Sequence, residues 1–243
     1  MKKSMKIVFG LIMLLFIGIS FNGYKLKKQF DSVDKTDEYW EFEKQNALTF
    51  SNIRIKGGNK IYINIIPGSH SKLHYKDEIK SDFKYSVVDD TLVIDFNQDL
   101  FMAKVNQRRR RSYKMLITYK NLNSIMLDDS YLDLGLKSEN LEIGVKGFST
   151  LKLGATKVSM DSLLINMSES AVATFRYDDN PIKINSLAAK LIDSTFMDIR
   201  STRIESFLPE IFDKSEMVIG SGINLTKGFL LNQNITVDSS KTK

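Results

Sequence analysis

The sequence predicts an all-β fold: a β-solenoid, right-handed and parallel, built from repeats of about 20 residues and preceded by a single N-terminal hydrophobic helix. Three observations predict it. Apolar residues alternate with polar ones from residue 47 onward, a turn-serine-strand unit recurs along the second half, and one uncharged apolar run lies near the N-terminus.

The apolar run is Ile7–Phe21, preceded by Lys2, Lys3 and Lys6. A spanning helix needs about 20 apolar residues and a signal core roughly 7 to 15, so this run lies at the boundary. Asn22, Gly23 and Tyr24 extend it, and residues 7–24 are the expected membrane contact. Gly18 and Ser20 are the small residues that a signal cleavage site places third and first before the cut bond. Tyr24, Lys25, Lys27 and Lys28 instead make an interfacial anchor, because aromatic and lysine side chains favour the headgroup level. Residues 1–30 are therefore expected to be a signal peptide or a membrane anchor. The leading lysines favour N-terminus inside, with the rest of the chain outside the cytoplasm, as a single-pass or secreted envelope protein. Residues 31–46 read as an acidic linker, 47–238 as the solenoid domain and 239–243 as a tail.

Charge and cysteine content narrow the chemistry. Six of the 35 basic residues lie within residues 1–30, so the remainder balances the 29 acids and the net charge of +6 belongs to the N-terminal segment. A field for nucleic acid is not supported. Cysteine is absent, which removes disulfides, zinc-thiolate sites, thiol catalysis and lipidation at cysteine.

Strand signals start at Ala47. Ile53 and Ile55 alternate before a Gly57-Gly58-Asn59 turn, and Ile61, Ile63 and Ile65 alternate before Pro67-Gly68-Ser69. Phe83–Val87 and Leu92–Phe96 flank Asp89-Asp90. This first part reads as hairpins or a meander. In the second part Ser130, Ser149, Ser170, Ser194 and Ser215 each stand at a turn before an alternating strand, 19 to 24 residues apart. Leu132, Leu134, Leu151, Leu153, Val172, Met217 and Ile219 are expected inward, with Asp133, Lys152 and Glu216 outward. The fourth repeat is out of phase, since Met197 and Ile199 alternate where Phe196 and Asp198 should, and reads as a one-residue bulge.

The opening block, Phe50-Ser51-Asn52-Ile53-Arg54-Ile55-Lys56-Gly57 through Ile61–Ile65 to Thr91–Ile94, and the repeats after it resemble the head GIN domain of proteins classed as autotransporter adhesins, a bacterial domain of unknown function. The resemblance spans roughly residues 47–237. It implies a β-helical, envelope-exposed domain without established catalytic residues.

Two surface features are candidate sites. The turn serines could stack into a polar ridge for glycan or protein contact, or simply bond the local backbone at tight turns. Arg108, Arg109, Arg110 and Arg111 could form an anion patch for phosphate, sulfated sugar or lipid headgroups, or be a solvated hairpin tip. His70 and His74 are the only histidines, and four residues apart on a strand they lie about 13 Å from each other, too far for one metal. The acid pairs Asp89-Asp90, Asp128-Asp129 and Asp178-Asp179 read as turn residues. No catalytic, cofactor or metal motif is present. The expected function is a non-catalytic cell-envelope protein presenting its solenoid for adhesion, surface interaction or scaffolding, with an envelope glycan, lipid headgroup or protein as partner and no nucleic acid. The alternative is a carbohydrate-active β-helix enzyme, which would cluster carboxylates on one face.

Overall fold

The computed structural model describes residues 3–32, 39, 42–43, 46–59, 61–97, 113–154, 159–175, 182–200, 202–220 and 235–238. The chain divides into two units between Phe42 and Glu43.

The first unit contains α1 (Lys3–Ser32). Its stretch Val8–Lys28 is 21 residues long, wholly exposed, and apolar and long enough to cross a membrane. At 1.5 Å per residue it extends about 32 Å, matching a hydrocarbon core of about 30 Å. The helix continues past the apolar run into residues expected to be linker. On the other side of the division, Glu43 donates its backbone N–H to Tyr75 O and Leu48 donates to Ser71 O.

The second unit is a solenoid of two sheets enclosing one apolar core. Its repeats are strand pairs, one strand in each sheet: β7 (Ser124–Asp128) with β8 (Tyr131–Gly135), β9 (Asn140–Lys146) with β10 (Thr150–Gly154), β11 (Ser159–Met167) with β12 (Val172–Phe175), β13 (Ile182–Leu191) with β14 (Phe196–Asp198), and β15 (Thr202–Ile211) with β16 (Glu216–Gly220). Each strand pairs in parallel with its counterpart in the next repeat, and β17 (Ile235–Asp238) adds to β16. Alternation places every second side chain inside. One column is Leu127, Val145, Met167, Leu191 and Ile211. Another, in the second sheet, is Leu132, Leu151, Ala173, Met197 and Met217.

The N-terminal part is a hairpin fused to further coils. β1 (Asn52–Lys56) and β2 (Tyr62–Pro67) lie in different sheets, so the Gly57-Gly58 turn carries the chain between sheets rather than folding it back. Both glycines have positive φ, 76° and 82°, and an added Cβ at Gly58 would lie 2.8 Å from the Phe96 ring. β3 (Lys72–Tyr75) runs antiparallel to β6 (Tyr113–Tyr119), and β4 (Phe83–Val88) forms the expected hairpin with β5 (Thr91–Phe96). Asp89 and Asp90 both have positive φ, 46° and 60°, the geometry of a type I′ turn. β5 and β6 then stack on β1 and β2, which are sandwiched against β7 and β8 on their other side.

Two register expectations need correction. Val172 points outward, and Ala171, Ala173 and Phe175 are the buried residues of its repeat. The cause is the position of the serine. Ser130, Ser149 and Ser215 occupy the inward corner before their strands, but Ala171 and Thr195 hold that corner in the third and fourth repeats. Ser170 and Ser194 lie one residue earlier, in left-handed conformation with φ of 66° and 62°. The fourth repeat therefore has no bulge: Met197 pairs in step with Ala173 and Met217. Asp133 does point outward, yet is only 2% exposed, and it accepts a hydrogen bond from Tyr62 Oη at 3.4 Å.

Candidate functional site

The turn serines do not form a surface ridge. Ser130, Ser149 and Ser215 are buried, and Ser170 and Ser194 are exposed at turn tips, so the five do not share a face. The buried ones satisfy backbone groups where the chain turns between sheets. Ser149 Oγ donates to Lys146 O at 2.5 Å and accepts the N–H of Ser130 at 3.0 Å. Ser215 Oγ accepts the N–H of Thr195 at 3.2 Å. A buried backbone N–H left without a partner costs about 1–3 kcal/mol, which explains a hydroxyl at this corner. Arg108, Arg109, Arg110 and Arg111 lie outside the described residues, as does the Asp178-Asp179 pair. His70 is exposed in the turn before β3, bonded to Ser69 Oγ at 2.9 Å, while His74 is buried on β3. Among the described residues, no three His, Asp or Glu side chains group to hold a metal ion.

The side-chain arrangement with the strongest binding character is a trough of about 400 Å³ on the outer face of the first sheet. In register across five strands stand Arg54, Met126, Gly144, Asn166 and Lys190. Gly144 supplies the depression. A Cβ there would lie 2.2 Å from Met126 Sδ, so Met126 lies across the glycine and forms the floor. Ile192 closes one side. The lining is mostly apolar and its charges are mostly cationic: Arg54, Lys146 and Lys190 against one acid, Asp128. Asp128 Oδ2 is 3.1 Å from Lys146 Nζ, and Lys190 Nζ lies 5.8 Å from the Phe212 ring centroid. Arg54 has no acidic partner among the described residues.

Beside the trough the same outer face carries a real polar column. Ser162, Ser186 and Ser206 are in register, and Ser162 Oγ donates to Asn140 Oδ1 at 2.6 Å. Next to them Asn185 Nδ2 donates to Asp161 Oδ1 at 3.1 Å. Sequence reasoning missed this column, although its signal was present: Asp161-Ser162, Asn185-Ser186 and Glu205-Ser206 each precede an inward apolar residue, Leu163, Leu187 or Phe207.

At the opposite corner lies a polar groove of about 650 Å³ lined by Lys120, Asn121, Asn123, Lys137 and Glu139. Tyr119 forms part of its wall and is 1% exposed. Its hydroxyl donates to Gly135 O at 2.9 Å and accepts from Lys137 N at 3.0 Å. Burial holds the phenol above its ordinary pKa, against the opposing effect of the hydrogen bonds from Lys137 and Ser138.

Together these features define a two-sheet β-solenoid with a trough and a polar column on the outer face of its first sheet. No protein-family model matches the chain, and no curated protein is similar to it in sequence. The fold is similar to the crystal structure of a "putative adhesin" from Parabacteroides merdae ATCC 43184, with a TM-score of 0.50 and 15% identity over 76% of this chain and 79% of that one. It is likewise similar to that of a "putative lipid binding protein" from Parabacteroides distasonis ATCC 8503, with a TM-score of 0.50 and 10% identity over 74% and 81% of the two chains.

Proposed function

We propose that this protein is a non-catalytic, membrane-tethered binding module of the bacterial cell envelope, with α1 as an uncleaved anchor and the solenoid as the presenting domain. The observation that carries the proposal is Val8–Lys28, an apolar helix of spanning length with no side chain buried against protein. In water that face would be costly, at about 25 cal/mol per Å² of apolar surface; in a bilayer it is satisfied. The solenoid adds the second half. Its outward residues, Arg54, Met126, Ser162, Ser186 and Lys190 among them, form contiguous rows rather than a convergent acid-base pair. Rows of this kind suit contact with an extended or amphiphilic partner. The structural likeness to the "putative adhesin" of Parabacteroides merdae and the resemblance to the head GIN domain fit the same reading.

The absence of cysteine makes a direct test possible. Ser186→Cys, on the exposed outer face of the first sheet, introduces a sole thiol. It should react with a membrane-impermeant maleimide in cells whose cytoplasmic membrane is intact, and the full-length mass should be recovered from the membrane fraction. Labelling only after the cytoplasmic membrane is lysed, or a full-length soluble protein, would refute the proposal. A membrane-free product starting at Phe21 would refute the anchor and leave export standing.

A further inference from the structure

We propose that the Gly144 trough is a binding site for a single-chain anionic amphiphile, an acyl chain ending in a carboxylate or phosphate. This deepens the reading of the solenoid as a binding module and rests on it. The shape comes first. Met126 lies over Gly144, and Ile192 lines the side, so the trough is an open, mostly apolar channel of about 400 Å³ whose floor, Met126, is 53% exposed. Arg54 and Lys190 mark its two ends, four strand spacings or about 19 Å apart in register. The one acid in the lining, Asp128, is already engaged by Lys146, so the lining itself is net positive, with Glu210 standing outside it in register with Lys190.

Each alternative ligand leaves part of this arrangement unused. A hydrophilic polyanion would pair with Arg54 and Lys190 but strand the apolar floor against polar groups. A neutral lipid would cover the floor and desolvate Arg54 without a counter-charge, which is costly. A peptide strand needs a free sheet edge, but β1, β7, β9, β11 and β13 are each paired on both sides. An anionic membrane surface is opposed by Glu142 and Glu210, which project from the same face. An acyl chain lying over Met126 with its head on Arg54 or Lys190 satisfies both the floor and the cations.

The test uses the full chain in nanodiscs of neutral phosphatidylcholine, with Ser168→Cys in the trough lining carrying an environment-sensitive fluorophore. A second labelled protein carries Lys152→Cys, on the other sheet, to report partition into the disc. Myristate and lysophosphatidate should each shift the Ser168→Cys signal saturably, and their relative affinities identify the preferred head. Monomyristin and inorganic phosphate should not. Arg54→Gln and Lys190→Gln, both surface changes, should each weaken binding about tenfold, the loss of one charge-assisted contact. Gly144→Val should abolish it by filling the floor. Equal responses at both labels, equal responses to myristate and monomyristin, or unchanged affinity in both Gln variants would overturn the proposal. None of these outcomes bears on whether α1 tethers the chain, which the maleimide experiment decides separately.

Discussion

Ser130 donates its backbone N–H to the hydroxyl of Ser149 in the neighbouring coil at 3.0 Å, and its own hydroxyl donates to Gly57 O in the coil on its other side at 2.7 Å. The two serines thus link three successive coils through the inside of one corner. Ser149→Ala should cost about 1–3 kcal/mol, because it orphans a buried N–H. Ser170→Ala, at an exposed turn tip, should change stability by about 0.5 kcal/mol or less. Thermal unfolding of the full chain, followed by the β-sheet circular dichroism signal, separates the two. Equal effects would mean that the corner hydroxyls do not support the solenoid.

Register is tested by neighbours on one strand. Leu151→Asp and Ala173→Asp place a carboxylate in the core, where an unpaired charge costs several kcal/mol. Against a typical domain stability of about 5–15 kcal/mol, either change should unfold much of the solenoid. Lys152→Gln and Val172→Lys fall on outward positions and should cost far less, about 1 kcal/mol at most. If Val172→Lys unfolds the protein and Ala173→Asp does not, the third repeat is shifted by one residue.

Gly147 adopts φ of +66°, and an added Cβ would lie 2.4 Å from Asp129 Oδ1. That carboxylate oxygen accepts the N–H of Phe148 at 2.8 Å. Gly147→Ala should therefore destabilise by about 1–3 kcal/mol through backbone strain and displacement of Asp129. Urea unfolding measures it, with an unchanged slope expected because the surface exposed is the same.

Tyr119 makes stability depend on pH at the alkaline end. The folded protein holds the phenol proton more tightly than the unfolded chain, because burial raises its pKa. The contribution is complete below the unfolded value of about 10 and is lost as pH rises above it. Tyr119→Phe should flatten the fall in stability above about pH 10 and cost about 1 kcal/mol at neutral pH, where the bonds to Gly135 and Lys137 are lost. Urea midpoints across that pH range give both quantities. An alkaline limb unchanged in the Phe variant would assign the pH dependence to other groups.

Much of this architecture is legible locally. Ile53 and Ile55, Leu92 and Ile94, and the Leu132-Leu134 and Leu151-Leu153 pairs alternate as strands do, and all are buried. Aspartates and glycines mark the turns because positive φ is cheap for them. Val172 misleads because a β-branched residue is a stronger core signal than Ala173, and only the longer run Ala171, Ala173, Phe175 fixes the face. The serines mislead because two adjacent turn positions both accept serine, for different reasons: one faces inward and carries a hydroxyl in every repeat but that of Ala171, the other takes a small residue at positive φ. The trough is hardly visible in sequence. Gly144 shows only as a glycine inside a strand, and its neighbours Arg54, Met126 and Lys190 come from strands far apart along the chain. Their meeting depends on pairing that no local pattern encodes.

The sandwiching of the first coil has a consequence for the order in which the molecule can be assembled. Asn52 on β1 bonds to Asp90 38 residues later and to Ser124 72 residues later. As the chain is made or threaded across a membrane, β1 and β2 emerge first and wait for partners on both sides. The later repeats face no such delay, since each docks on the one made immediately before it. Loop closure must precede the contacts that reward it, so the N-terminal block is the slow, exposed stage of folding. Once β7 and β8 have closed over it, the remaining coils can add in sequence order, like a stack built upward from a finished base.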